Sequence, residues 1–225
     1  MSRYQEILKE IRQAAITSSR RISDVQLIAV TKTVTWDVAS HLYQEGLRDF
    51  AENRLPHALE NISQAPKDCR WHFIGSLQSN KVQKVISNFV LIHSVDSEKL
   101  LDKISQCSQQ MGCITHVLLQ VNPLMEGSKH GMSIEDCLEM YPKFIIKPSI
   151  AIKGLMAMAP NTQEEAIIRD CFRKTCLLRD TLNARYPENR LEHLSMGMSN
   201  DYKIAIEEGA TIIRIGSALF DTIDF

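Results

Sequence analysis

Two nearby stretches decide the fold: Leu194-Ser195-Met196-Gly197-Met198-Ser199-Asn200-Asp201 and Ile213-Arg214-Ile215-Gly216-Ser217-Ala218-Leu219-Phe220. Each is a short apolar run that enters a small-residue turn rich in hydroxyl groups and free backbone N–H. Two such turns after consecutive strands are what an eight-stranded barrel uses to grip a phosphate. Working outward, the runs are Leu27–Thr31, Asp49–Glu52, His72–Ser76, Phe89–Val95, His116–Asn122, Ile150–Met158, Leu194–Met198 and Thr211–Leu219. Most are continuously apolar, as expected of parallel strands covered on both faces. Asp49–Glu52 is the short, polar exception.

Amphipathic stretches separate the runs. Ile7, Leu8, Ile11 and Ala15 recur at helical spacing and predict an opening helix ahead of the first strand. Thr35 and Ser97 stand where helices should start, and Ser133 with Asp136 and Thr162 with Glu165 read as capping boxes. A helix from Thr162 to about Arg185 places Ile168, Cys171 or Phe172, Thr175, Leu178 and Leu182 on one face. No Gly/Ser/Pro-rich linker interrupts the alternation. The sequence therefore predicts an α/β fold: a single (β/α)8 barrel domain over residues 1–225 with an extra N-terminal helix. An open doubly wound sheet would carry a glycine-rich turn after its first strand; Lys32-Thr33-Val34 stands there instead.

The formal net charge of −1 over 225 residues, with Lys and Arg dispersed, gives no basis for nucleic-acid or membrane binding. Arg3, Glu6, Lys9 and Glu10 break up any apolar stretch near the N-terminus, so no signal peptide is read there. The six cysteines form no C-x-x-C pair and read as reduced core residues. A cytoplasmic protein is expected, and a monomer.

In a barrel, groups at the C-terminal strand ends converge on one mouth. Lys32 follows a fully apolar run, and low-dielectric surroundings would favour its neutral, nucleophilic form. Ser195, Gly197, Met198, Ser199, Gly216 and Ser217 supply hydroxyl and backbone donors for a phosphate. A phosphate grip facing a strand-end lysine suggests pyridoxal 5′-phosphate held as a Schiff base. Arg214 lies inside the last strand, where a permanent charge is expensive unless paired. It serves either a structural ion pair or a hydrogen bond to the cofactor's pyridine nitrogen, and the second would weaken the ring as an electron sink. His72, between Trp71 and Phe73, is read as a packed or ring-contacting residue rather than a proton shuttle. His93, His116 and His193 read as strand-edge residues without a role, and Cys69-x-x-His72 is no metal site.

Six segments carry a family resemblance: Ala29–Lys32, Glu52-Asn53-Arg54, Trp71–Lys81 (WHFIGSLQSNK), Lys153-Gly154-Leu155-Met156, Leu194–Asp201 and Arg214–Phe220. On these the chain resembles the pyridoxal-phosphate homeostasis family, related to the barrel domain of alanine racemases. The resemblance implies a (β/α)8 barrel with pyridoxal 5′-phosphate on Lys32. It also implies phosphate contacts from Ser195, Gly216 and Ser217, and further cofactor contacts from Asn53, Met198 and Arg214. Ala51 and Asp221 stand where the family commonly has glycine. Alanine racemases append a second domain bearing a tyrosine base, whereas this sequence ends five residues after Phe220. A non-catalytic cofactor carrier is therefore expected, with apo forms of enzymes that use the cofactor as its expected recipients. A small amino-acid racemase is one alternative. A phosphosugar-binding barrel enzyme with Lys32 as a catalytic amine is another.

Overall fold

Successive residues of a strand face opposite ways, and here both sides are apolar. Along the first strand Leu27 and Ala29 join an extensive outer core, while Ile28 and Val30 join a small inner cluster with Ala51, Leu91, Leu118, Met156 and Ile212. That division explains why the runs read as continuously apolar. The computed structural model describes residues 1–125 and 130–220. Its strands are β1 (Gln26–Val30), β2 (Asp49–Glu52), β3 (Arg70–Phe73), β4 (Leu91–Val95), β5 (Thr115–Gln120), β6 (Ile150–Met156), β7 (His193–Ser195) and β8 (Ile212–Ile215). All pair in parallel in chain order, and β1 pairs with β8 to close the barrel. The open-sheet alternative is excluded.

The outer ring comprises α2 (Trp36–Gln44), α3 (Leu55–Gln64), α4 (Val82–Ile86), α5 (Glu98–Met111), α6 (Ile134–Phe144), α7 (Glu165–Arg185), α8 (Tyr202–Glu207) and α9 (Ser217–Phe220). The extra helix α1 (Arg3–Thr17) precedes them and packs against α8 and α9. Among the described residues no helix is long and apolar enough to cross a membrane.

The cap signals divide. Ser97 and Ser133 accept hydrogen bonds from the N–H groups of Leu100 at 3.4 Å and Asp136 at 2.8 Å. Thr35 precedes α2 without a side-chain cap bond. Thr162 accepts from the Glu164 N–H at 3.1 Å, and the long helix begins only at Glu165. Its buried face is the expected one, with both Cys171 and Phe172 inside.

Several strands are shorter than their apolar runs. β3 starts two residues early, at Arg70, and ends at Phe73, although the Ile74 N–H still donates to Glu52 O at 3.0 Å. Thr211–Leu219 divides at Gly216, beyond which the chain turns into α9. Ala51 sits in regular pairing with Val30 and His72, so alanine at this point leaves the strand undistorted. Asp221 lies outside the described residues.

Gly154 sits where the β5–β6 register shifts, and a Cβ there would lie 1.9 Å from the His193 carbonyl oxygen. Rotating a side chain cannot relieve a clash with backbone. Gly154→Ala should therefore destabilise the barrel by about 3 kcal/mol or more, read as a lowered urea midpoint; a midpoint equal to the parent's would contradict this packing.

Candidate functional site

The position of Lys32 follows from the anchoring of Thr31. The Thr31 N–H donates to Ala51 O at 3.0 Å, and its hydroxyl donates to Glu52 Oε1 at 2.5 Å. Glu52 is fully buried, and its Oε1 also accepts from Asn61 Nδ2 at 3.0 Å. Its second oxygen lies 3.2 Å from His57 Nδ1. The same Asn61 amide reaches Val34 O at 3.2 Å, so one buried carboxylate and one amide tie the segment around Lys32 to β2 and α3. The Glu52-Asn53-Arg54 segment signals this anchor in the sequence, although its spacing alone does not reveal the buried role of Glu52.

Lys32 itself is exposed, so the low-dielectric setting expected for its amine is not found. It stands on the wall of a cavity of about 550 Å3 at the C-terminal ends of the strands. That volume is within the range of small-molecule sites, roughly 300–1,000 Å3. Met198, Ser199, Arg214, Gly216 and Ser217 share the wall, together with the segment Ala159–Gln163. The strand-end amine and the last turn thus open into a common space. At Gly216 a Cβ would come within 3.2 Å of Val30 O, so glycine lets the β8 turn press against the end of β1. Ser199 joins the two turns by accepting the Ala218 N–H at 3.2 Å.

Four expected residues lie elsewhere. Asn53 lines a neighbouring pocket of about 290 Å3, with Arg54, Gln78 and Lys81. Gly197 is buried at φ +93°, and a Cβ there would strike Ala205 Cβ at 2.5 Å; its place is structural. The neighbouring Met198 N–H is taken by Asp201 Oδ1 at 2.6 Å, which closes the β7 turn. Ser195 was expected among the phosphate donors. It is fully buried below the cavity, and its hydroxyl is committed to Arg214 Nη1 at 2.6 Å and His93 Nδ1 at 2.8 Å. His72 is packed, as expected, but inside the barrel and off the cavity wall.

These inner groups form a row. His93, read from sequence as a strand-edge residue, is fully buried, and its Nε2 lies 3.1 Å from His72 Nδ1. His72 Nε2 lies 3.1 Å from Asp49 Oδ1. Arg70 grips the same carboxylate through two bonds of 2.7 and 2.5 Å. Burial opposes ionisation of Asp49, but the hydrogen bonds from His72 and Arg70 outweigh it and hold the carboxyl well below its usual range. Burial, with His72 and Arg214 nearby, holds the His93 imidazole neutral. Burial also pushes Arg214 down to about 10, so it remains cationic at neutral pH. No period or motif marks His93, because a polar residue within an apolar run does not disclose what lies across the barrel.

The comparisons follow the same lines. A family model for the alanine racemase N-terminal domain matches residues 7–223. The pyridoxal phosphate homeostasis protein of Aquifex aeolicus is 37% identical over 219 residues, covering 97% of this chain and 96% of that protein. Its counterpart in Pseudomonas aeruginosa is 37% identical over 221 residues, covering 98% and 94%. The chain belongs to the pyridoxal phosphate homeostasis protein family. A solved structure of PipY from Synechococcus elongatus with pyridoxal phosphate bound superposes with a TM-score of 0.83 at 35% identity, covering 94% of this chain and 99% of PipY. An alanine racemase of Clostridium difficile shares the fold alone, at 15% identity and a TM-score of 0.73, covering 94% of this chain and 55% of the racemase chain.

The sign of the Asp49 shift fixes a pH dependence. A carboxyl depressed in the folded state adds stability that is complete above its unfolded value, near 3.9, and is lost as pH falls through the folded value. Asp49→Asn should cost about 2–3 kcal/mol at pH 7. The gap from the parent should shrink below about pH 4, and a gap that stays constant in urea titrations at pH 7 and pH 3 would refute the assignment.

Proposed function

We propose that this chain binds pyridoxal 5′-phosphate and acts in intracellular vitamin B6 homeostasis, in the cytoplasm, as a carrier rather than a catalyst. One observation carries the reading: Lys32 and the Gly216–Ser217 turn line the same cavity, over the buried cation of Arg214. The Lys32 amine would condense with the cofactor's aldehyde, forming a C=N bond and releasing water. Ser199, Ser217 and the N–H groups of the last turn would receive the phosphate, which needs several donors rather than lysines. Gly197 contributes through the shape of the turn, and Ser195 and His72 act from below. Asn53, in the adjoining pocket, would meet the cofactor from the β2 side.

Bound cofactor supplies an electrophilic carbonyl and a ring able to accept electron density. Arg214 limits the second property. A guanidinium only donates hydrogen bonds, so it suits an unprotonated ring nitrogen, the weaker electron sink. Relatives named for pyridoxal phosphate homeostasis, and PipY solved with pyridoxal phosphate bound, support the same reading. Apo forms of cofactor-dependent enzymes are the natural recipients.

Borohydride reduction of the protein mixed with pyridoxal 5′-phosphate tests this reading. The cofactor mass should be fixed on the Lys32 peptide, and Lys32→Ala should lower the trapped fraction at least about tenfold. Undiminished trapping in that variant, or label confined to another lysine, defeats the assignment. The carrier reading also predicts no α-deuterium exchange of alanine or serine above that caused by free cofactor. Exchange lost with Lys32→Ala would make the chain a racemase instead.

A further inference from the structure

The interior row from Arg214 to Asp49 has a direction that the cofactor reading does not use. Arg214 can only donate, so Ser195 Oγ accepts from it at 2.6 Å. At the far end the Asp49 carboxylate can only accept, so His72 must present Nε2–H to it across 3.1 Å. Where His72 carries that single proton, its Nδ1 accepts from His93 Nε2–H, also across 3.1 Å. That leaves His93 Nδ1 bare, 2.8 Å from Ser195 Oγ, and the serine O–H donates to it. Each contact then has one donor and one acceptor, running Arg214, Ser195, His93, His72, Asp49. Arg70 completes the carboxylate from the opposite end of the barrel, where its side chain is 54% exposed.

All the links except Arg70 are buried, where a polar group left without its partner costs about 1–3 kcal/mol. The chain therefore favours staying fully paired while Asp49 is ionised. Its other end is the cavity floor, where Nη2 of Arg214 has a second anchor, Ala157 O, at 3.2 Å. We propose that Ser195 and His93 are positioning residues for the cofactor site: through a hydrogen-bond chain that Asp49 terminates, they hold the Arg214 guanidinium in one orientation beneath the cavity. The proposal rests on the cofactor reading for what Arg214 meets, but the chain itself exists in the unliganded protein.

Two measurements separate these parts. In unliganded wild type, long-range 1H–15N NMR should show both His72 and His93 protonated on Nε2 alone, and the Arg214 guanidinium N–H signals should be slow to exchange. Ser195→Ala and His93→Leu should broaden the Arg214 signals and weaken pyridoxal 5′-phosphate binding about tenfold, with a displaced absorbance maximum of the bound cofactor. His93→Gln, whose amide can accept from Ser195 and donate to His72, should restore both signals and affinity. A residue with only a structural role would lower the melting temperature without moving the spectrum, and Gln would not rescue it. A His93 proton on Nδ1, or folded Ser195→Ala and His93→Leu proteins with parental affinity and spectrum, overturns the proposal. Should the variants fail to fold, the wild-type tautomers decide it. If wild type takes up no cofactor, the preceding reading fails, and the Arg214 signals alone decide whether the chain holds the guanidinium.

Discussion

The parallel pairing of β1 with β8 is the constraint on which the site depends. In that register Ala29 lies opposite Ile215, so the lysine just beyond β1 and the glycine-serine turn just beyond β8 emerge side by side. The close approach of Gly216 to Val30 O keeps the two ends together. A slip of one residue would send every side chain of β1 to the other face of the sheet and remove Lys32 from the cavity. Residues far apart in the chain become one site only because the barrel closes.

The interior of the barrel is divided between two kinds of packing. Seven fully packed apolar side chains, from Ile28 to Ile212, fill part of it. The row of Asp49, His72, His93, Ser195 and Arg214 threads the remainder. A charge at each end, joined by hydrogen-bonding side chains, avoids an isolated ion in a low-dielectric core. At the cavity end this leaves a cation whose orientation is settled before any ligand arrives, so little need be reorganised on binding.

Much of this was legible in the residues. The continuous apolar runs announced parallel strands because inner and outer faces are both apolar, as Ile28 and Leu27 illustrate. Lys32, Gly216 and Ser217 were legible because turn chemistry at strand ends has a local signature. Ser195 and Ser199 could not be told apart. They stand four residues apart in one segment, and only the fold shows that the first ends β7 inside the barrel while the second, beyond the turn at Gly197, reaches the cavity wall. His93 was hidden for a related reason, since its partners His72 and Ser195 stand 21 and 102 residues away. The exposure of Lys32 was misjudged because an apolar strand says nothing about the breadth of the mouth into which it opens.

In the proposed reading, an amine at the rim, hydroxyl and backbone donors in the last turn, and a cation on the floor would retain a phosphorylated aldehyde rather than drive carbanion chemistry. A crystal structure of this chain grown with pyridoxal 5′-phosphate tests that arrangement most directly. The account predicts density continuous from Lys32 Nζ, with the phosphate at the Gly216–Ser217 turn and the ring nitrogen toward Arg214. Density joined to another lysine, or a phosphate seated between Arg54 and Lys81 in the neighbouring pocket, would contradict it.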